Sequence, residues 1–333
     1  MSATNRQVLL ASRPAGAVTP ENFRIAESPM PVPAEGEVLV KNLWLSLDPY
    51  MRGRMSDAKS YVAPVELGAV MAGQTVGEVV ESRHPGFRPG DKVITSLGWQ
   101  LYGVAPGKHL RLVDDSQVPL SYYLGILGMP GMTAWFGLFE IGKPKPGETV
   151  VVSAASGAVG SVVGQLAKAE GCRVVGIAGG KRKCEYLVEE LGFDAWVDYR
   201  AGNLDADLRA ACPAGVDVDF ENVGGVVLDT VLRRMNRNGR VILCGLIAEY
   251  DTKEPYLYKS MRAILVNRLR VQGMIVFDWE ARYGEALADL GTRVAAGQLR
   301  YRESVVEGLD NAPRGLIELL GGKNFGKQLV KLA

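Results

Sequence analysis

Thr149-Val150-Val151-Val152-Ser153-Ala154-Ala155-Ser156-Gly157-Ala158-Val159-Gly160 is the stretch whose reading decides the fold. An apolar run of strand length passes into a loop of small residues, and a helix-length segment, Gly160 to Glu170, follows at once. This is the order of a β-α-β nucleotide-binding unit. The loop departs from the dinucleotide fingerprint GxGxxG only at Ala155, which stands in the first glycine place. Gly157 lets the backbone approach a pyrophosphate, and Gly160 lets helix and strand pack closely. Ala158 and Val159 complete the turn, and the helix N-terminus offers free N–H groups and a positive dipole to phosphates.

The second strand, Arg173 to Ile177, runs into Ala178-Gly179-Gly180-Lys181-Arg182-Lys183. NAD-binding versions of the unit place an Asp or Glu about 20 residues beyond the loop, where it holds the ribose 2′-hydroxyl and would repel a 2′-phosphate. Here a glycine turn and three cations replace the acid, which points to NADPH. The alternative is a solvated basic helix start, which leaves unexplained why cations sit at the positive end of a helix dipole.

Further strands are expected at Ala195–Asp198, Val216–Glu221, Arg240–Cys244 and Leu269–Ile275, spaced by helix-length segments that suit a six-stranded doubly wound sheet. Residues 1 to 125 read differently. Short β-type runs such as Glu37-Val38-Leu39-Val40 and Thr75-Val76-Gly77-Glu78-Val79-Val80 are punctuated by Pro and Gly turns, predicting a mostly antiparallel β domain. Beyond Leu299 the pattern is strand, amphipathic helix (Leu309 to Leu320) closed by Gly321-Gly322, and final strand (Lys327 to Leu332), a tail that could return to the first domain. The expected class is α/β, with a β-rich domain at 1–125, a doubly wound parallel domain at 126–299 and a return segment at 300–333.

A chain of 333 residues exceeds the size at which one core keeps growing, so two domains are expected. The 38 Lys and Arg nearly cancel the 37 Asp and Glu, which argues against bulk attraction to nucleic acid or an anionic membrane and favours a small-molecule partner. No apolar run approaches the roughly 20 residues of a membrane span, and the segment opening with Met1-Ser2-Ala3 has no signal-like core, so a cytoplasmic protein is expected. Cys172, Cys184, Cys212 and Cys244 form no CxxC pair and read as reduced, mostly buried thiols. A catalytic zinc needs about three converging ligands. The first domain holds no cysteine and only His84 and His109, each beside turn residues, so no metal site is expected.

Six segments together resemble the zinc-independent medium-chain dehydrogenase/reductases, in the branch of the leukotriene B4 dehydrogenase/prostaglandin reductases and bacterial curcumin reductases. They are Ser46-Leu47-Asp48-Pro49-Tyr50-Met51-Arg52-Gly53-Arg54-Met55, Leu127-Gly128-Met129-Pro130-Gly131-Met132-Thr133-Ala134, the nucleotide loop, Glu221-Asn222-Val223-Gly224-Gly225, Cys244-Gly245-Leu246 and Gly322-Lys323-Asn324-Phe325-Gly326-Lys327. The resemblance implies a GroES-like N-terminal domain completed by the C-terminal tail, a Rossmann domain between them, an active-site cleft where they meet, and a homodimer. It also implies that Lys183 and Tyr199 contact the 2′-phosphate region, beside Gly179, and that Asn222 and Asn324 hold the nicotinamide or its ribose. Cys244 and Phe277 belong to the same implied cofactor set. Each residue keeps a plainer reading: Tyr199 could cap a strand end, Asn222 could form an Asx-turn, and Asn324 could be a loop residue.

In chemistry without a metal, NADPH brings the hydride, and the protein must orient an acceptor and stabilise the charge that develops on it. For an α,β-unsaturated ketone or aldehyde, hydride at the β-carbon moves charge to the carbonyl oxygen, which needs a hydrogen-bond donor. Tyr250 follows the strand ending at Cys244, and ligands in this fold collect beyond the carboxyl ends of strands. The family's reductases carry a tyrosine in this loop, so Tyr250 is the candidate donor; a packing role for it, or a ribose hydroxyl or water in its place, stays open. Tyr50 and, more weakly, Tyr61 are candidates to line the acceptor pocket, and both could be core aromatics. Arg52 could bind an acidic substrate tail or make an internal ion pair. Met129, Met132, Trp135 and Phe136 read as core, and loops near Tyr50, Trp99 and Phe277 are expected to set pocket size. The leading expectation is an NADPH-dependent ene-reductase; the alternatives are an NADPH:quinone oxidoreductase and a non-catalytic NADPH-binding sensor.

Overall fold

A computed structural model describes residues 4–252 and 254–332. Met1, Ser2 and Ala3, which open the N-terminal segment searched for a signal sequence, lie outside them. The chain divides into two compact units, Met1–Gly125 with Glu303–Ala333, and Ile126–Arg302.

The first unit begins with β1 (Thr4–Leu10) and β2 (Phe23–Pro29), an antiparallel pair. Then come β3 (Glu37–Ser46), the short helix α1 (Tyr50–Arg54), β4 (Thr75–Ser82), β5 (Lys92–Thr95), β6 (Tyr102–Pro106) and β7 (Arg111–Leu112). The centre is β3, which pairs with β4 and β6 and buries Val38, Val40 and Leu45 completely. Its approach to β4 requires Gly77, because a Cβ there would lie 2.4 Å from Lys41 O.

The second unit opens with α2 (Met129–Phe136) and then alternates β8 (Thr149–Ser153), α3 (Gly160–Ala169), β9 (Arg173–Ala178), α4 (Lys181–Glu189), β10 (Ala195–Asp198), α5 (Leu204–Ala211), β11 (Val216–Glu221), α6 (Gly225–Leu232), β12 (Met235–Leu243), α7 (Arg262–Asn267), β13 (Arg270–Gly273) and α8 (Tyr283–Ala295). The six strands are parallel in the order β10-β9-β8-β11-β12-β13, the doubly wound arrangement. Helices cover the sheet, so its central strands read as continuous apolar runs: Val150, Val151 and Val152 are all fully buried, at about 1.5–3 kcal/mol each. Met132 and Phe136 are buried too. β12 starts earlier than its sequence suggests, because a bulge between its pairings with Val216 and Val218 absorbs the turn-like Asn236 to Gly239, with Asn238 at φ 63°.

The tail forms β14 (Glu303–Glu307), α9 (Ala312–Leu320) and β15 (Lys327–Lys331). β15 pairs antiparallel with β3 and parallel with β14, so the tail extends the first unit's sheet. Leu316 and Leu319 of α9 pack in one core with Leu47, Met51 and Met55. Trp99 belongs to that core: it is fully buried and stacks on Phe23, ring centroids 5.4 Å apart. Its large apolar surface is buried although it sits in the loop between β5 and β6.

Candidate functional site

The nucleotide loop has the geometry a phosphate requires. Ala154 takes the left-handed conformation at φ 46°, and Gly157 N–H donates to Ala154 O at 2.9 Å. A Cβ on Gly160 would sit 2.6 Å from Ala154 O, so any larger residue would push the loop off the start of α3. Ala155 is buried, and its methyl packs where a Cβ on Gly176 would lie only 2.9 Å away. The first glycine place tolerates Ala because the neighbouring strand supplies the missing space. That leaves Ala155 only its backbone to offer a cofactor, whereas Ala158 and Val159 are half-buried at the loop surface.

At the end of β9 the chain turns through Gly180, φ 90°. Asp198, at the end of the adjacent β10, accepts from Gly180 N–H and Arg200 N–H, both at 2.9 Å. This ties the two strand ends together. A Cβ on Gly179 would lie 2.8 Å from the Tyr199 ring and 2.9 Å from Arg200 Nε. The Arg200 guanidinium lies 5.5 Å from the Tyr199 ring centroid and its Nε donates to Tyr199 Oη at 3.3 Å. Lys183 stands close enough to Arg200 that its ammonium is held below the ordinary lysine value, first by burial and then by that second cation. A half-buried Lys183 brought beside an exposed Arg200 makes a natural anion site. Lys181 differs from its neighbour: its side chain is 82% exposed and pairs with Glu185 at 3.5 Å, a surface i,i+4 contact that accounts for its charge.

The winding of the sheet reverses between β8 and β11. There Asn222 bridges the two strands, donating from its backbone N–H to Ser153 Oγ at 2.7 Å and from Nδ2 to Ser153 O at 2.8 Å. One Nδ2 hydrogen is used in this way, which leaves the second Nδ2–H to donate and Oδ1 to accept. Cys244 and Gly245 donate backbone N–H bonds to Glu221 O at 2.9 and 3.1 Å. A Cβ on Gly245 would lie 3.4 Å from Tyr250 Oη and 3.3 Å from Asn222 O, so glycine lets the phenol approach the Asn222 turn. Asn222, Cys244 and Tyr250 are thereby gathered at the carboxyl ends of β11 and β12. Burial, with Glu221 adding to it, pushes the Cys244 thiol up to about 12, so it stays protonated at neutral pH and is no nucleophile. Phe277 lies beyond β13 on the turn Val276–Arg282 and is 54% exposed.

The first unit holds the remaining candidates. Tyr50 opens α1, and burial, then Asp48, keep its phenol protonated well above the ordinary range. Tyr61 is 56% exposed and takes no part in the core. Asn324 Nδ2 donates to Gly326 O at 2.8 Å, shaping the loop before β15. Arg52 is buried and donates to Gly16 O at 2.8 Å, a structural use of an internal arginine. Among the described residues no group of three or more His, Cys, Asp or Glu could hold a metal ion.

The second unit fits a 2′-phosphorylated dinucleotide: a loop that larger residues would close, two cations at the end of β9, and an acid there, Asp198, whose Oδ1 already accepts two backbone N–H bonds. Arg200, Asp198 and Ser153 were not marked by their sequence context. A Tyr-Arg pair directly after a strand is the one local signal, and its meaning depends on β10 pairing with β9.

A β-rich unit completed by a C-terminal return, with a doubly wound unit carrying this loop, defines the class of two-domain dinucleotide-dependent oxidoreductases. Residues 6–113 match the model described as the N-terminal domain of oxidoreductase, and residues 158–292 that described as zinc-binding dehydrogenase. The chain is 48% identical to an NADPH-dependent curcumin reductase of Escherichia coli (strain K12), over 99% of this chain and 97% of that protein. It is 42% identical to a 2-alkenal reductase (NADP(+)-dependent) of Nicotiana tabacum, over 99% and 98%. The crystal structure of CurA in complex with NADPH from Vibrio vulnificus superposes with a TM-score of 0.95 at 48% identity, covering 98% of this chain and 99% of that one. The chain belongs to the zinc-independent medium-chain dehydrogenase/reductases.

Proposed function

We infer that this chain is an NADPH-dependent ene-reductase that saturates the carbon–carbon double bond of α,β-unsaturated ketones and aldehydes. The observation that carries the cofactor half is the apposition of Lys183 and Arg200 at the end of β9, where an NAD-binding unit would present a free acid. Curcumin and 2-alkenals, the compounds in the relatives' names, share a double bond conjugated with a carbonyl, which supports the acceptor half.

Bound NADPH supplies the hydride. Lys183, Arg200 and Tyr199 would hold the 2′-phosphate, Gly157 and Gly160 would keep the loop open to the pyrophosphate, and Asn222 and Asn324 would hold the nicotinamide or its ribose. Tyr250 donates a hydrogen bond to the acceptor's carbonyl oxygen, where negative charge gathers as the β-carbon is reduced; a neutral phenol donates without ionising. Tyr50 and, more weakly, Tyr61 are the first unit's candidates to contact the acceptor. Comparing NADPH oxidation by an enone with that by a simple quinone tests the reading. Turnover of the enone to the saturated carbonyl compound is expected; a rate with the quinone alone would make this a quinone reductase.

A homodimer is the assembly this reading favours. The edge strand β13 is exposed along its length, and the adjoining α7 presents Leu265 and Val266 to solvent, so a second copy pairing there would cover both. Light scattering on the purified chain at the dimer mass is the expected result. The four unpaired thiols support a cytoplasmic setting; no helix among the described residues is long and apolar enough to cross a membrane.

A further inference from the structure

β11 reads Val216-Asp217-Val218-Asp219-Phe220-Glu221, acids alternating with apolar residues. Alternate residues share a face of a strand, so the three acids lie on one side. Asp217 is half-buried near the rim and accepts from Thr149 N–H and Asn236 Nδ2, both at 2.8 Å. Asp219 and Glu221 are fully buried. Asp219 stands in register between Val151 and Val241 in an apolar core, and neither carboxyl oxygen has a hydrogen-bond partner among the described residues. Glu221 is the opposite case. Its Oε1 accepts from Ser153 Oγ at 2.6 Å, from Gly224 N–H at 2.9 Å and from Val223 N–H, while Oε2 has no donor.

An ionised carboxylate without donors is costly in an apolar core, and two neighbouring carboxyls cannot both ionise there. Three donors decide which one carries the charge. We propose that Asp219 is held protonated at neutral pH beneath an ionised Glu221, and that this pair positions Asn222 for its part at the nicotinamide end of the site. Glu221 fixes the Ser153 hydroxyl as donor, leaving Ser153 Oγ to accept from Asn222 N–H at 2.7 Å. Asp219 lies two residues before Glu221 on the same face of β11, and Glu221 Oε2, like both Asp219 oxygens, accepts no N–H or O–H bond among the described residues. Burial raises both carboxyls, Asp219 well above its ordinary value with Glu221 adding to it, while Ser153 and the turn N–H groups pull Glu221 back. Asp229 of α6 is committed to Lys259 and Ser260 N–H, and Cys244 and Tyr258, raised chiefly by burial, stay neutral.

The sign for stability follows from the raised Asp219. A carboxyl that holds its proton more tightly when folded contributes fully below the unfolded value near 3.9, and the contribution is lost as pH rises through the folded value. Asp219→Asn keeps the shape without the titration, so its thermal midpoint should fall less than that of the parent on the alkaline side.

The positioning half rests on the reading of Asn222 given above; the proton half does not. Infrared spectra of the full chain at pH 8 should show a protonated-carboxyl carbonyl band that Asp219→Asn removes and Glu221→Gln retains; identical parent and Asp219→Asn spectra would overturn the proton placement. Glu221→Gln should lower enone kcat at saturating NADPH at least tenfold, with the preference for NADPH over NADH unchanged because the adenosine end is untouched. A folded Glu221→Gln with parental kcat overturns the positioning role. If Asn222→Ala also keeps parental kcat, the failure lies in the reading of Asn222. Should Glu221→Gln not fold, the infrared comparison of parent and Asp219→Asn still decides the proton.

Discussion

Lys327 Nζ lies 2.6 Å from Asp48 Oδ1 inside the first unit, 279 residues apart in sequence and both nearly inaccessible to solvent. The ammonium also donates to Leu47 O at 2.7 Å, and the Ser46 hydroxyl donates to the other oxygen of Asp48. The C-terminal strand thus grips the turn that launches Tyr50. Breaking a buried pair from one side leaves an uncompensated charge, so Lys327→Met should cost about 3–5 kcal/mol in chemical denaturation. Adding Asp48→Asn should restore part of that loss, and a double variant as unstable as the sum of the singles would refute the pairing.

Gly179→Ala should act on cofactor choice with little effect on stability. The added methyl meets the Tyr199 ring at 2.8 Å and the end of a flexible arginine at 2.9 Å, both able to move outward. Displacing them spoils the phosphate contacts, so the KM for NADPH should rise severalfold while that for NADH and the thermal midpoint hold. An equal change for both cofactors would count against Tyr199 and Arg200 as phosphate contacts.

Alkaline pH should weaken NADPH more than NADH. In the free enzyme Lys183 loses its proton below the ordinary lysine value near 10.4, because burial and Arg200 both disfavour its charge. A bound phosphate favours that charge, so affinity falls as pH rises through the free-enzyme value. Lys183→Arg should abolish the fall, and Lys183→Ala should cost roughly ten- to a hundredfold in NADPH affinity at neutral pH. A pH-independent NADPH affinity in the parent would exclude Lys183 from the contact.

Tyr250→Phe removes a hydroxyl and little else. The expected outcome is an enone kcat lower by about a hundredfold or more, with NADPH affinity unchanged, since the loss falls on the reacting oxygen. Unchanged kcat would return the role to a ribose hydroxyl or water.

The nucleotide loop and the glycine turn before Lys183 were legible because their meaning is local: strand, small-residue loop and helix follow one another within a dozen residues. The doubly wound sheet followed from the same repetition. Arg200 was not legible, because only the parallel pairing of β9 with β10 sets residue 200 against residue 179. The packing of Trp99 was not legible either, since its Gly98 neighbour marks a loop and only β2 brings Phe23 onto its ring. Acids alternating along β11 suggest a solvated face, and nothing in that spacing reveals that the face is closed over Asp219 and Glu221. Lys327 likewise reads as a strand-end cation until β15 docks on β3.

The most direct test of the central claim follows the hydride. With NADPH deuterated at the transferable position and a simple enone, the saturated ketone should carry the deuterium on its β-carbon, and Lys183→Ala should slow its formation at subsaturating NADPH. Deuterium on the carbonyl carbon of an unsaturated alcohol, or no saturated product at all, would contradict the account.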